Sequence, residues 1–210
     1  MTRLLLIRHG ETIWNNEMRY QGHSDIPLSD EGREQAKKLS ARLAGEEIDH
    51  VYASDLSRAY ETAEIIAAPH HKTVQKMEQL RETMFGAWEG LKFTEIQERF
   101  PEVWAKWRDD PRSTVLPEGE SLDGVYERVN RAINQIREIH PKKTVVVVGH
   151  GGIIRLILYA ALDLDIKYIW RVRQDNTALN IIDYYGERAI ISLINDISHL
   201  ELGVPKFVIR

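Results

Sequence analysis

The sequence predicts an α/β domain of three layers: a mostly parallel sheet with helices on both faces, one antiparallel edge strand and a small helical cap. Three observations point there. The runs Leu4-Leu5-Leu6-Ile7 and Val145-Val146-Val147-Val148 are apolar at every position, the pattern of strands covered on both faces of a parallel sheet. Segments with helical apolar spacing alternate with the strand-like runs, as crossovers between parallel strands require. Near the end, Leu179 to Tyr184 and Ala189 to Leu193 flank Gly186 and read as a hairpin, which supplies the antiparallel strand.

In chain order, the first strand gives way to a polar loop from Glu11 to Asp25 that carries Thr12, Asn15, Arg19, Gln21 and Gly22, with Trp14 and Tyr20 among them. Ser29 is placed to cap a helix, Asp30 and Glu31 suit its start, and Ala36, Leu39 and Leu43 keep helical spacing up to Gly45. Val51-Tyr52-Ala53 reads as a short strand. Ser54 or Asp55 then caps a helix running to about Ala68, with Arg58 in its first turn. A cation beside the free N–H groups of a helix start disfavours the helix, and makes sense where an anion sits. A third strand lies near Thr73 to Lys76.

The glycine-rich stretch from Leu80 to Gly90 leads into an aromatic helical segment holding Phe93, Ile96, Phe100, Val103, Trp104 and Trp107, divided by Pro101 and ended by Asp109-Asp110-Pro111. So much apolar surface outside the α/β alternation is read as the cap, at about 84–116. Pro117 to Ser121 opens the longest helix, with Ser121 as N-cap, a buried stripe of Val125, Val129, Ala132, Ile133 and Ile136, and Pro141 at its close. The strand from Thr144 to Val148 follows, then a helix from Ile153 to Ala161. Ser198 to Arg210 reads as a tail packed on the surface.

The 210 residues suit one domain spanning 1–210, and 43% apolar residues allow a sizeable core. A net charge of −4 gives no basic surface for nucleic acid. The absence of Cys removes disulfides, thiolate zinc sites and a Cys nucleophile. No signal peptide and no membrane-length apolar run is seen, so a cytoplasmic enzyme without membrane partners is expected.

The chemistry gathers where the first strand stops, at Arg8-His9-Gly10. A cation and an imidazole are poor core material, but ligands bind outside the carboxyl ends of strands in such sheets. Gly10 is expected to let the backbone turn there and approach a ligand closely. A lone His after a strand is more often structural. The second apolar strand, however, runs into Gly149-His150-Gly151-Gly152, and two such strands can set two imidazoles side by side. A phosphomonoester carries close to two negative charges. Arg8 and Arg58 can balance them with two bidentate forks, and Asn15 and Thr12 can add neutral hydrogen bonds. His9 would attack with one ring nitrogen while the other is held by an acceptor, a backbone carbonyl. His150 would donate to a non-bridging oxygen, and Glu82 would protonate the leaving alkoxide and then activate water.

Arg8-His9-Gly10-Glu11-Thr12 with Trp14-Asn15 resembles the signature of the histidine phosphatase superfamily, which includes the cofactor-dependent phosphoglycerate mutases. The resemblance continues through Gln21-Gly22, Asp25, Pro27-Leu28-Ser29 and Gly32, through Ser54 to Ala59 with Thr62-Ala63, through Leu80-Arg81-Glu82, Phe85-Gly86 and Trp88-Glu89-Gly90, and on to Gly119-Glu120-Ser121 and Gly149 to Gly152. It implies that His9 becomes phosphorylated, that Arg8, Arg58 and His150 complete the phosphate pocket, that Glu82 is the acid/base, and that no metal or cofactor is needed. Around Glu82 the chain resembles the phosphatase branch: α-ribazole phosphatases, broad-specificity phosphatases and metal-independent phosphoserine phosphatases. The last group carries His where this chain has Phe85.

The expected function is a metal-independent phosphomonoesterase acting through phosphohistidine, with Thr12, Asn15, Gln21, Gly22, Phe85 and Gly151 touching a small-molecule phosphate ester. A homodimer is left open. The alternatives are a cofactor-dependent phosphoglycerate mutase and a non-catalytic phospho-ligand binder. At least one of Met84, Phe85 and Trp88 is expected to wall the leaving-group side, favouring p-nitrophenyl or nucleoside-like phosphates over 3-phosphoglycerate, unless Lys92 or Arg112 swings in as a cation.

Overall fold

The computed structural model of the chain describes residues 1–200, so residues 201–210, most of the tail expected from Ser198 onward, lie outside it. Six strands form one sheet in the order β3-β2-β4-β1-β5-β6. β1 (Thr2–Arg8) lies parallel to β4 (Thr144–Gly149), β4 to β2 (His50–Ala53), and β2 to β3 (Val74–Lys76). The expected hairpin forms the other edge: β5 (Leu179–Tyr185) runs antiparallel to β1, and β6 (Arg188–Asp196) runs antiparallel to β5.

The all-apolar runs have a simple cause. Successive side chains of a strand point to opposite faces, and here both faces are covered. Leu4, Leu6, Val145 and Val147 join one core with α6 (Leu122–Ile139) and α7 (Gly151–Ala161), while Leu5, Ile7, Val146 and Val148 join the other with α2 (Asp30–Leu43) and α3 (Ser57–Ala67). Trp88, together with Ile96 of α4 (Phe93–Arg99) and Trp104 and Trp107 of α5 (Pro101–Asp109), belongs to the first core. The three-layer α/β class thus follows from which strand positions had to be apolar. Among the described residues no helix is long and apolar enough to cross a membrane.

Helix starts were partly legible. Ser29 accepts from the Gly32 N–H and Ser121 from the Gly124 N–H, both as expected. The expected cap of α3 is not there. The helix begins at Ser57 with Leu56 at the N-cap; Ser54 Oγ accepts instead from the Leu56 N–H, and Asp55 pairs with Arg81. Asp25, from the preceding loop, reaches over and accepts from the Ser57 N–H at 2.7 Å. A tertiary carboxylate has replaced a local one. Within the expected loop there is also one turn of helix, α1 (Ile13–Asn16), capped by Thr12.

Candidate active site

The β1–β4 register sets the site. Arg8 lies opposite Gly149, and the His9 N–H donates to the Gly149 carbonyl at 2.9 Å, so the next residues, His9 and His150, leave the sheet side by side. Their ring centroids are 5.2 Å apart, at the carboxyl ends of two parallel strands. Both imidazoles are buried, at 3% and 0% exposure.

His9 Nδ1 lies 2.7 Å from the Gly10 carbonyl. A carbonyl can only accept, so Nδ1 carries the proton and Nε2 keeps its lone pair. Burial, and then the positive charges of Arg58 and Arg8, hold the His9 pKa well below the usual imidazole value. His150 is lowered in the same way, first by burial and then by Arg58, His9 and Arg8. Among the described residues neither of its ring nitrogens has a hydrogen-bond partner, a costly arrangement for a buried polar side chain.

Two guanidinium groups flank the imidazoles. Arg58 is fully buried; its Nη1 donates to the Ser24 carbonyl at 2.8 Å, its Nη2 to the Gly22 carbonyl at 2.7 Å, and its Nε has no partner among the described residues. Burial pulls its pKa down to about 10, against the opposing pull of Glu82, Asp25 and Glu89. Carbonyls orient the cation without neutralising it, which leaves its charge for an anion. Arg8 Nη1 donates to the Gln174 carbonyl at 2.7 Å. Thr62 ties the parts together: its hydroxyl accepts from the Gly10 N–H and donates to the Arg58 carbonyl.

Glu82 enters from the loop after β3. Its Oε2 accepts from the Gly152 N–H at the start of α7 (3.0 Å), and Oε1 from the Thr83 N–H (2.9 Å). The seat depends on a glycine, since a Cβ at Gly152 would lie 2.4 Å from Glu82 Oε1. Gly10 serves packing rather than ligand approach: a Cβ there would lie 2.5 Å from the Gly32 carbonyl oxygen, so the end of β1 can touch α2 only because both residues are glycines.

These groups open on one cavity of 570 Å³. Arg8, His9, Arg58, Glu82 and His150 all line it, as do Asn15, Gln21, Gly22, Phe85 and Gly151. Thr12 is the correction among the expected binding residues. It is fully buried and outside the lining; its hydroxyl accepts from the Asn15 N–H as the α1 cap and donates to Gln21 Oε1 at 3.0 Å. It therefore positions two lining residues. Of the three expected wall residues only Phe85 lines the cavity, standing edge-on to Tyr20 (4.8 Å) and Trp107 (6.1 Å); Trp88 is buried in the core.

Lys92 and Arg112, the two residues that could swing in as a cation, stay away from the cavity. Arg112 is paired with Asp123 and Asp165, and neither residue lines the cavity. Arg155 does, as does Arg19. Arg155 donates through Nε to the Val172 carbonyl at 2.6 Å and stands over the Trp170 ring; burial lowers its pKa. A point one Cβ out from Gly151 would be 3.4 Å from Arg155 Nη1 and 3.5 Å from Arg8 Nε, so the two cations share a neighbourhood. Sequence reasoning missed Arg155, although a signal was present: it is the sole charged residue of the apolar helix Gly151–Ala161.

Known proteins resemble this chain along most of its length. A model of the histidine phosphatase superfamily (branch 1) matches residues 4–197. Phosphoserine phosphatase 1 of Hydrogenobacter thermophilus is 36% identical over 200 residues, covering 95% of each chain. Phosphoglycerate mutase-like protein 4 of Arabidopsis thaliana is 39% identical over 202 residues, covering 94% of this chain and 86% of the relative. Among solved structures, YhfR of Bacillus stearothermophilus superposes with a TM-score of 0.91 at 33% identity, covering 95% of this chain and all of that one.

Proposed function

Because this chain belongs to the histidine phosphatase superfamily, branch 1, and with it to the phosphoric monoester hydrolases, we propose that it hydrolyses small-molecule phosphate esters through a phosphohistidine on His9. The observation that carries the reading is the Nδ1–Gly10 hydrogen bond, which leaves an unprotonated Nε2 beside two arginines and an unpartnered imidazole. Arg8 and Arg58 receive the phosphate charge and His150 donates to a non-bridging oxygen. Nε2 attacks phosphorus as the ester P–O bond breaks, and Glu82 passes its proton to the departing oxygen. Water then attacks the phosphohistidine, the P–N bond breaks, and Glu82 takes the water's proton. Asn15, Gln21, Gly22 and Gly151 complete the phosphate side. Within a single domain of residues 1–210, the segment at about 84–116 serves as the cap, through Phe85, Phe93 and Trp107.

The arginines perform the charge balance that a cation would otherwise supply, and among the described residues no three His, Asp or Glu side chains converge as metal ligands. Phosphate release from p-nitrophenyl phosphate is expected to persist in EDTA. A preparation that EDTA inactivates and Mg²⁺ or Zn²⁺ restores would overturn the metal-independent reading. The same assay without chelator separates an enzyme from a mere binder, since a binder releases no phosphate.

On the leaving-group side we propose an ester whose leaving group carries an anionic group, met by Arg155, in a pocket walled by Tyr20, Phe85 and Trp170. A phospho-amino acid is the first candidate, as the Hydrogenobacter relative is named a phosphoserine phosphatase. Arg155→Leu is expected to lower kcat/KM for phosphoserine by about tenfold to a hundredfold, the worth of a charge-assisted hydrogen bond of about 1.5–3 kcal/mol. Turnover of p-nitrophenyl phosphate should stay within about threefold, since a neutral ring does not need that bond. Equal losses on both esters would place Arg155 on the phosphate instead.

A further inference from the structure

Glu82 is held from behind as well as through its carboxylate. Its backbone carbonyl accepts from His23 Nε2 (2.9 Å) and from Arg128 Nη2 (2.9 Å), so both lone pairs are used. A carbonyl cannot donate, so Nε2 of His23 carries a proton. Arg128 belongs to the frame of the acid's own loop. It donates to the carbonyls of Gln79 and Arg81 (2.8 Å each) and pairs with Glu120, which accepts in turn from the Met84 N–H.

His23 comes from the opposite side of the site. It sits between Gly22 and Ser24, whose carbonyls hold the Arg58 guanidinium. Of three consecutive residues, the outer two therefore face the phosphate clamp with their carbonyls and the middle one the proton donor's loop with its side chain. Their backbone has its own anchor in Glu89: Oε1 accepts from the His23 and Phe85 N–H groups, and Oε2 from the Ser24 N–H and hydroxyl. Removing the imidazole would leave that anchor, and the Arg58 bonds, in place.

We propose that His23 is a positioning residue that couples the proton donor to the phosphate clamp: its Nε2–H fixes the Glu82 main chain at a set offset from Arg58. Phosphorus is located by one loop and the proton by another, and the leaving oxygen must meet both at once. Misplacing a reacting group by about 1 Å can cost on the order of 10²-fold. The proposal rests on Glu82 being the general acid.

The test compares two esters and one inhibitor. p-Nitrophenolate departs without a proton, whereas the alkoxide of glycerol 2-phosphate needs one; inorganic phosphate reports the clamp. His23→Leu is expected to lower the alkyl-to-aryl ratio of kcat/KM, which reports phosphoryl transfer to His9 and not the water step the two esters share, by about tenfold, with inhibition by phosphate changed by less than about twofold because the clamp is intact. His23→Gln, whose amide N–H can reach the same carbonyl, should recover most of the ratio, and His23→Asn, too short to reach it, should not. If His23→Leu does not fold, the Gln and Asn variants give the same comparison. Equal loss on both esters, an unchanged ratio, or weaker phosphate inhibition alone would overturn the coupling. Glu82→Gln, run beside them, separates the two assignments: an unchanged ratio there removes Glu82 as the acid, while a lowered ratio there with none in His23→Leu removes only the role of His23.

Discussion

His9→Ala is expected to lower kcat by roughly 10³-fold or more, because removing a nucleophile abolishes the covalent route and leaves only binding and electrostatic stabilisation. The substitution should spare the fold. His9 donates one side-chain hydrogen bond, to the carbonyl of the next residue, while its main chain is held by Gly149 and Asn176. Quenching the wild-type enzyme during turnover of a ³²P-labelled ester should leave label on His9, stable to alkali and labile to acid. Label on another residue, or a mutant of full activity, would remove the phosphohistidine. Phosphate affinity should survive in the mutant, as Arg8, Arg58 and His150 remain.

Glu82→Gln is expected to have the next largest effect, confined to esters that need a proton. The loss of kcat/KM, which ends at phosphoryl transfer to His9, should approach on an alkyl ester the roughly 10²–10⁴-fold that a positioned general acid contributes, while kcat/KM for p-nitrophenyl phosphate should fall far less. The pH profile reports on the nucleophile. His9 must be unprotonated to attack, and burial beside two arginines depresses its pKa. The acid limb of kcat/KM should therefore lie below the usual imidazole value, with activity retained at mildly acidic pH and lost as the pH falls through the lowered pKa. Equal loss of kcat/KM on both esters would take Glu82 out of the acid role.

The parts legible in the sequence were those governed by local pattern. Strands β1 and β4 announced themselves because both faces of each are covered, leaving no position for a polar residue within Leu4-Leu5-Leu6-Ile7 or Val145-Val146-Val147-Val148. His9 and His150 could be paired because parallel strands of matching pattern end at matching heights. Where two physical roles draw on one residue type, the pattern was ambiguous. Thr12 has the chemistry of a phosphate ligand and of a helix cap, and it is the cap of α1. Ser54 and Asp55 have the chemistry of caps, yet Arg81 claimed Asp55 and the helix start fell to Asp25, which lies far back in the chain. His23, Glu89 and Arg128 act through partners dozens of residues away, and no spacing rule marks them. Arg155 falls between these cases, since a single charge in an apolar helix is visible without its meaning.

The two buried imidazoles also bear on how the chain endures acid. In the unfolded chain both would take up protons near the ordinary value of about 6.5; in the folded chain both resist, their pKa values held down by burial and the neighbouring arginines. As the pH falls below that unfolded value, unfolding therefore draws in two protons, and each removes about 1.4 kcal/mol of stability per pH unit until the folded pKa is reached. An anion seated among Arg8, Arg58 and the two rings would raise those depressed values and relieve the penalty. The unliganded protein is thus its own most acid-sensitive form, and a phosphate in the site protects the fold over the same pH range in which it occupies the nucleophile.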